Sequence, residues 1–93
     1  MSERTSDARI FLYGLSTCPW CRKTKTFLTE AGVEWDYVDI DLLPEAEGDA
    51  AAEEAHRLSG SWAFPVLVVG EHAVAGYNPG RFESLIKQLE AER

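Results

Sequence analysis

Sulfur is scarce in this chain: two cysteines and one methionine in 93 residues. A single cysteine pair, Cys18 and Cys21, excludes the disulfide-dense scaffolds by which small secreted domains replace a core. Long apolar runs are missing too. The longest holds a handful of residues, against the roughly 20 that a membrane-crossing helix needs, so no membrane association is expected. The opening residues MSERTSDAR are polar and carry no apolar h-region, which argues against a secretory leader and for a cytoplasmic location. An excess of positive charge is also absent. Sixteen acidic and nine basic residues leave a formal net charge of -7, so nucleic acid is not expected as a partner, because phosphate neutralisation needs clustered cations. There is no glycine-rich phosphate loop and no Ser/His/Asp set.

What remains is an ordinary soluble composition, 45% apolar and 27% charged, at a length that fits one domain. Residues 1–8 are expected to form a flexible N-terminal segment and residues 9–93 a single domain. One absence is local. From Ala8 to Thr29 there is no Asp or Glu, yet the window carries Arg9, Arg22, Lys23 and Lys25. This positive island surrounds the two thiols on an otherwise acidic body.

The apolar run Ile10–Tyr13, closed by Gly14, predicts a strand buried on both faces. Pro19 suits the first turn of a helix capped by Thr17 or Cys18, with Phe27, Leu28 and Ala31 on its inner face and Gly32 as its stop. Within VEWDYVDID, Val38 and Ile40 alternate against Tyr37, Asp39 and Asp41, which predicts an edge strand whose carboxylates guard it. Pro44–Ser59 is helical in composition, with Ala55 and Leu58 inward and Gly60 as terminator. Gly48 weakens the first turn and moves the expected start toward Asp49. PVLVV and HAVA around Gly70-Glu71 predict a hairpin. Asn78-Pro79 caps a last helix in which Phe82, Leu85, Ile86 and Leu89 follow helical spacing and Glu83 can pair with Lys87. The order β-α-β-α-β-β-α implies an α/β fold with a four-stranded mixed sheet and helices on both faces.

Placed at a helix N-terminus, Cys18 would meet unpaired N–H groups and the positive end of the helix dipole, both of which favour a thiolate. Arg22, Lys23 and Lys25 would add to this. Cys21, one turn on, would lie beneath it and suits a resolving thiol. A structural zinc would need His56 and His72 as further ligands. His72 falls at the hairpin turn, and His56 reads as a surface residue of the second helix. A structural disulfide would close so small a loop that it adds little. A cluster bridging two chains through Cys18 is the alternative from a different class.

STCPWC after IFLYG, then AFPVLVVG, then AGYNPGRFESLI, resembles the glutaredoxin family of the thioredoxin superfamily from about Arg9 to Leu89. The resemblance implies a glutaredoxin-like fold, a Cys18/Cys21 redox disulfide and a cis Pro65 facing Cys18. It also implies that the Phe64 backbone and the Gly76 region bind a substrate chain or glutathione. The expected contact set is Thr17, Pro19, Trp20, Phe64, Pro65, Gly76 and Tyr77, with Trp62 as a further candidate for an aromatic rim. Trp35 and Phe82 are assigned to structure.

The chain departs from the glutathione-using pattern in three places. Leu15 stands where many such members have a lysine or arginine, Ala63-Phe64-Pro65 replaces Thr-Val-Pro, and Ala75-Gly76-Tyr77-Asn78-Pro79 replaces Gly-Gly and its polar followers. Gly-aromatic-x-Pro is closer to NrdH-type redoxins, which draw electrons from thioredoxin reductase. The resemblance therefore implies a monomeric thiol–disulfide oxidoreductase acting on disulfide-containing proteins. No tightly bound cofactor is expected. Glutathione is a candidate co-substrate, and a thioredoxin-reductase-like flavoenzyme the other candidate donor.

Overall fold

The computed structural model describes residues 9–91. The expected flexible segment, residues 1–8, lies outside them, as do residues 92 and 93. The central strand β1 (Ile10–Gly14) buries Ile10, Leu12 and Gly14 on one face and half-buries Phe11 and Tyr13 on the other. It pairs in parallel with β2 (Asp36–Asp39), setting Gly14 opposite Asp39, and antiparallel with β3 (Val66–Val69), setting Leu12 opposite Leu67. A hairpin turn at Gly70, whose φ is 62°, leads into β4 (His72–Ala75). The sheet order is β2-β1-β3-β4, with β2 at an edge as expected.

Two helices, α1 (Pro19–Ala31) and α3 (Pro79–Ala91), close one face. Their Leu28, Phe82, Leu85 and Ile86 meet Ile10, Leu12, Leu67, Val69 and Val74 in one core. Asn78 starts α3, its Oδ1 accepting the Arg81 N–H at 3.2 Å. Helix α2 (Glu45–Ser59) lies against the other face, touching β1, β3 and β4. There Tyr13 comes near Glu54 and Arg57; burial first, then the Glu54 charge, pushes its phenol above the ordinary range.

Four details differ from the expectations. The inner face of α1 carries Cys21, Thr24 and Leu28, whereas Ala31 is exposed in the last turn. Strand β2 is short, because the chain turns through a single 3-10 turn at Ile40–Leu42 and so removes Asp41 from the strand. Gly48 does not delay α2: it is buried, and a methyl group there would stand 3.0 Å from the Ile40 carbonyl oxygen. Close approach to that turn, not helix propensity, explains the glycine. Leu58 points outward at 37% exposure, leaving Ala55 as the buried apolar residue of the α2 inner face.

Candidate active site

The loop from β1 to α1 is tied down before it reaches the cysteines. Ser16 donates its N–H to Asp41 Oδ1 at 2.8 Å and its hydroxyl to Asp41 Oδ2 at 2.5 Å. These bonds hold the Asp41 carboxyl below its ordinary range. Asp41 therefore has a specific partner, and edge protection is not what places it.

Cys18 is the N-cap residue of α1, with extended backbone, and Pro19 follows at the first helical position. Thr17 is exposed in the loop and does not cap. The Cys18 carbonyl accepts the Arg22 N–H at 3.1 Å, and its sulfur accepts the Cys21 N–H at 3.3 Å. Both cysteines are free thiols, Cys18 half-buried and Cys21 buried. Burial, then the hydrogen bond with Cys18, pushes the Cys21 thiol up to about 12. One turn of helix thus carries an accessible sulfur and a protected, protonated one.

The three cations split into two groups. Lys25 turns to β2: its Nζ lies 3.1 Å from both carboxylate oxygens of Asp39 and 4.2 Å from the centre of the Tyr37 ring. Arg22 and Lys23 stay exposed, with Lys23 Nζ 5.4 Å from the Trp20 ring centre. They line a groove of about 340 Å³ with Thr26, Phe27, Glu30 and Tyr77.

The Phe64–Pro65 peptide is cis, with Pro65 buried and Phe64 half-buried. The Pro65 carbonyl accepts the Gly76 N–H at 2.6 Å, and Gly76 takes a φ of 89°, which favours glycine. Next to it, Tyr77 stacks on Trp20 at 5.5 Å and meets Phe82 edge-on at 5.9 Å. Hydrogen bond and stack link the proline loop to the cysteine turn, bringing Trp20, Pro65, Gly76 and Tyr77 into one region.

Trp62 is placed differently, stacked flat on His56 at 3.9 Å. His56 is therefore not simply a surface residue, and its Nδ1 is buried with no hydrogen-bond partner. Both residues sit in stretches with no regular spacing to link them, so the contact has no local sequence signal. His72 is exposed at the start of β4. Among the described residues no group of three or more His, Cys, Asp or Glu side chains is placed to hold a metal ion, and no helix is long and apolar enough to cross a membrane.

A Cys-Pro-aromatic-Cys turn opening a helix, beside a cis-proline hairpin on a four-stranded mixed sheet, defines a redox protein of the thioredoxin-like fold. A glutaredoxin structure from Archaeoglobus fulgidus superposes with a TM-score of 0.84 and 39% identity, covering 91% of this chain and 92% of that one. The glutaredoxin family model matches residues 10–74, and the chain belongs to the glutaredoxin family. An uncharacterized glutaredoxin-like 8.6 kDa protein from the rubredoxin operon of Clostridium pasteurianum is 32% identical, with 85% of this chain and 99% of that protein covered. The glutaredoxin-like protein NrdH of Escherichia coli is 29% identical, with 83% and 88% covered. Family membership makes thiol–disulfide oxidoreduction the general chemistry of the chain.

Proposed function

We propose that this chain reduces protein disulfides through a Cys18/Cys21 dithiol–disulfide cycle in the cytoplasm, as a monomer with no tightly bound cofactor. The observation that carries the reading is the asymmetry of the pair. Cys18 is reachable and takes an N–H bond on its sulfur, while Cys21 is fully buried and held as a thiol. Cys18 attacks a substrate disulfide and forms a mixed disulfide, releasing the first substrate sulfur as a thiol. Cys21 then attacks Cys18 and releases the second. The substrate gains two electrons, and the two protein thiols become one disulfide. Thr17, Pro19, Trp20, Phe64, Pro65, Gly76 and Tyr77 form the contact surface, the Phe64–Pro65 segment pairing with the substrate backbone as an added strand. Arg22 and Lys23 favour an acidic approach.

A thioredoxin-reductase-like flavoenzyme returns the electrons in this reading. Leu15 in place of a cation and the Gly76-Tyr77-Asn78-Pro79 sequence support it, since fewer charged groups remain than in the glutathione-using pattern to hold the two carboxylates of glutathione. Membership of the glutaredoxin family and likeness to NrdH favour the oxidoreductase over a cluster shared between two chains through Cys18. The test is NADPH oxidation with a protein disulfide, run once with thioredoxin reductase and once with glutathione plus glutathione reductase. Turnover with the flavoenzyme alone is expected. Turnover only with glutathione reverses the donor, and turnover with neither, despite a normal fold, removes both donors and leaves another electron source or a pure binding role.

A further inference from the structure

Asp39 stands out among the acidic residues because it faces inward. A carboxylate that protects a sheet edge is solvated, yet the Asp39 side chain is only 11% exposed and both its oxygens meet Lys25 at 3.1 Å. Burying an ion pair is not in itself a gain in stability, so a role in folding alone accounts poorly for this one. Its position relative to the thiols is given by Gly14, its neighbour across the parallel strands. A methyl group at Gly14 would stand 3.2 Å from Cys21 Sγ and 3.9 Å from Asp39 Oδ1. One missing side chain therefore leaves thiol and carboxylate facing the same small space.

We infer that Asp39 receives the proton of Cys21 as the resolving thiol attacks, and that Lys25 positions its carboxylate for this. The inference rests on the dithiol cycle proposed above. Burial, the largest cause, pushes the Cys21 thiol up, so little of the thiolate that the second step needs is present at neutral pH. A base acting during the attack removes that restriction. The Cys21 S–H gives its proton to the carboxylate, directly or across one water, as the Cys18–Cys21 bond forms. The bond from Cys18 to the substrate sulfur breaks with it. The electron pair leaves on that sulfur, which takes up a proton from the carboxyl group or from solvent, and the carboxylate is restored. Around Asp39, α1 presents Lys25 and Cys21 with Cys18 beside it, its own segment carries Tyr37 and Asp41, and β1 brings the uncharged Gly14.

The experiment mixes reduced full-length protein in slight excess with 5,5'-dithiobis(2-nitrobenzoate) and follows release of the coloured thiol by stopped flow. Cys18 attack gives the first phase and Cys21 resolution the second. In the unsubstituted protein the second phase is expected to vary little between pH 6 and 8. Asp39→Asn slows it at least about tenfold at pH 7 and makes it rise about tenfold per pH unit, while the first phase is much less affected. Lys25→Met moves the acid limb of the second phase to higher pH. A second phase in Asp39→Asn with the unsubstituted rate and pH profile overturns the inference. If that variant does not fold, the unsubstituted profile decides: a tenfold rise per pH unit across pH 6–8 overturns it, and a flat profile supports it. Release of only one coloured thiol per reagent instead overturns the dithiol cycle itself, a separate result.

Discussion

The ring of Trp20 lies 5.5 Å from that of Tyr77, the planes 28° apart, so the second of the two residues between the cysteines rests on the residue that follows Gly76, whose N–H bonds the Pro65 carbonyl. Such stacks contribute about 0.5–1.5 kcal/mol beyond the area they bury. A double-mutant cycle of Trp20→Ala and Tyr77→Ala, read by urea denaturation, is expected to give a coupling of that size. Either substitution should also raise KM for a protein disulfide by about tenfold, more than it lowers kcat.

The division of labour between the sulfurs predicts different failures. Cys18→Ser should lose disulfide reduction by about 10³-fold or more, since the nucleophile is a thiolate and a serine hydroxyl does not replace it. Cys21→Ser should instead accumulate a mixed disulfide at Cys18. Intact-mass measurement after exposure to an oxidised peptide reads both outcomes, and an adduct on Cys18→Ser would reverse the assignment.

Alkaline conditions should weaken the reduced protein. Cys21 has a folded-state value raised from 9.0 to about 12, so its contribution to stability is fully present below pH 9 and is lost as pH rises through that window. The slope is at most about 1.4 kcal/mol per pH unit. Tyr13, also raised, adds a loss that begins above pH 10. Urea denaturation of the reduced form from pH 8 to 11 tests this, and Cys21→Ala should flatten the part of the curve below pH 10.

Phe82 has no exposed surface and meets Phe27 at 5.7 Å and Tyr77 at 5.9 Å. Phe82→Ala is expected to cost about 3–5 kcal/mol, a large share of the 5–15 kcal/mol typical of a small domain. Circular dichroism melts check the loss. Because Phe82 also braces the Trp20–Tyr77 stack, substrate affinity should fall in the fraction that stays folded.

Gly48→Ala sets two effects against each other. Alanine in a helix interior gains up to about 1 kcal/mol over glycine, but its methyl would stand 3.0 Å from the backbone oxygen of Ile40. Backbone yields little, and overpacking costs about 1–3 kcal/mol. The melting temperature is therefore expected to drop; a rise would show that the Ile40–Leu42 turn gives way.

The same position shows what could be read from the sequence and what could not. Strand β1, the start of α1, the hairpin and α3 were legible because each is marked locally, by an apolar run, by Pro19, by Gly70 and by Asn78-Pro79. Cys18 and Cys21 were legible for the same reason, being close in sequence and chemically distinctive. Gly48 was misread because its constraint comes from a turn packed against it, to which helix propensity is blind. Asp39 and Asp41 were read together as guards of an edge, since alternation tells only which face a residue takes. Their partners Lys25 and Ser16 come from α1 and the loop before it, 14 and 25 residues away in the chain. His56 and Trp62 likewise meet only because the end of α2 and the loop after it fold together.

Complete burial of Cys21 beside Gly14 also bears on oxidative damage. A peroxide arriving from solvent meets Cys18 alone, and the sulfenic acid it leaves there sits one helical turn from a shielded thiol. Condensation of the two expels water and forms the same Cys18–Cys21 disulfide as the proposed cycle, ahead of the irreversible sulfinic and sulfonic stages.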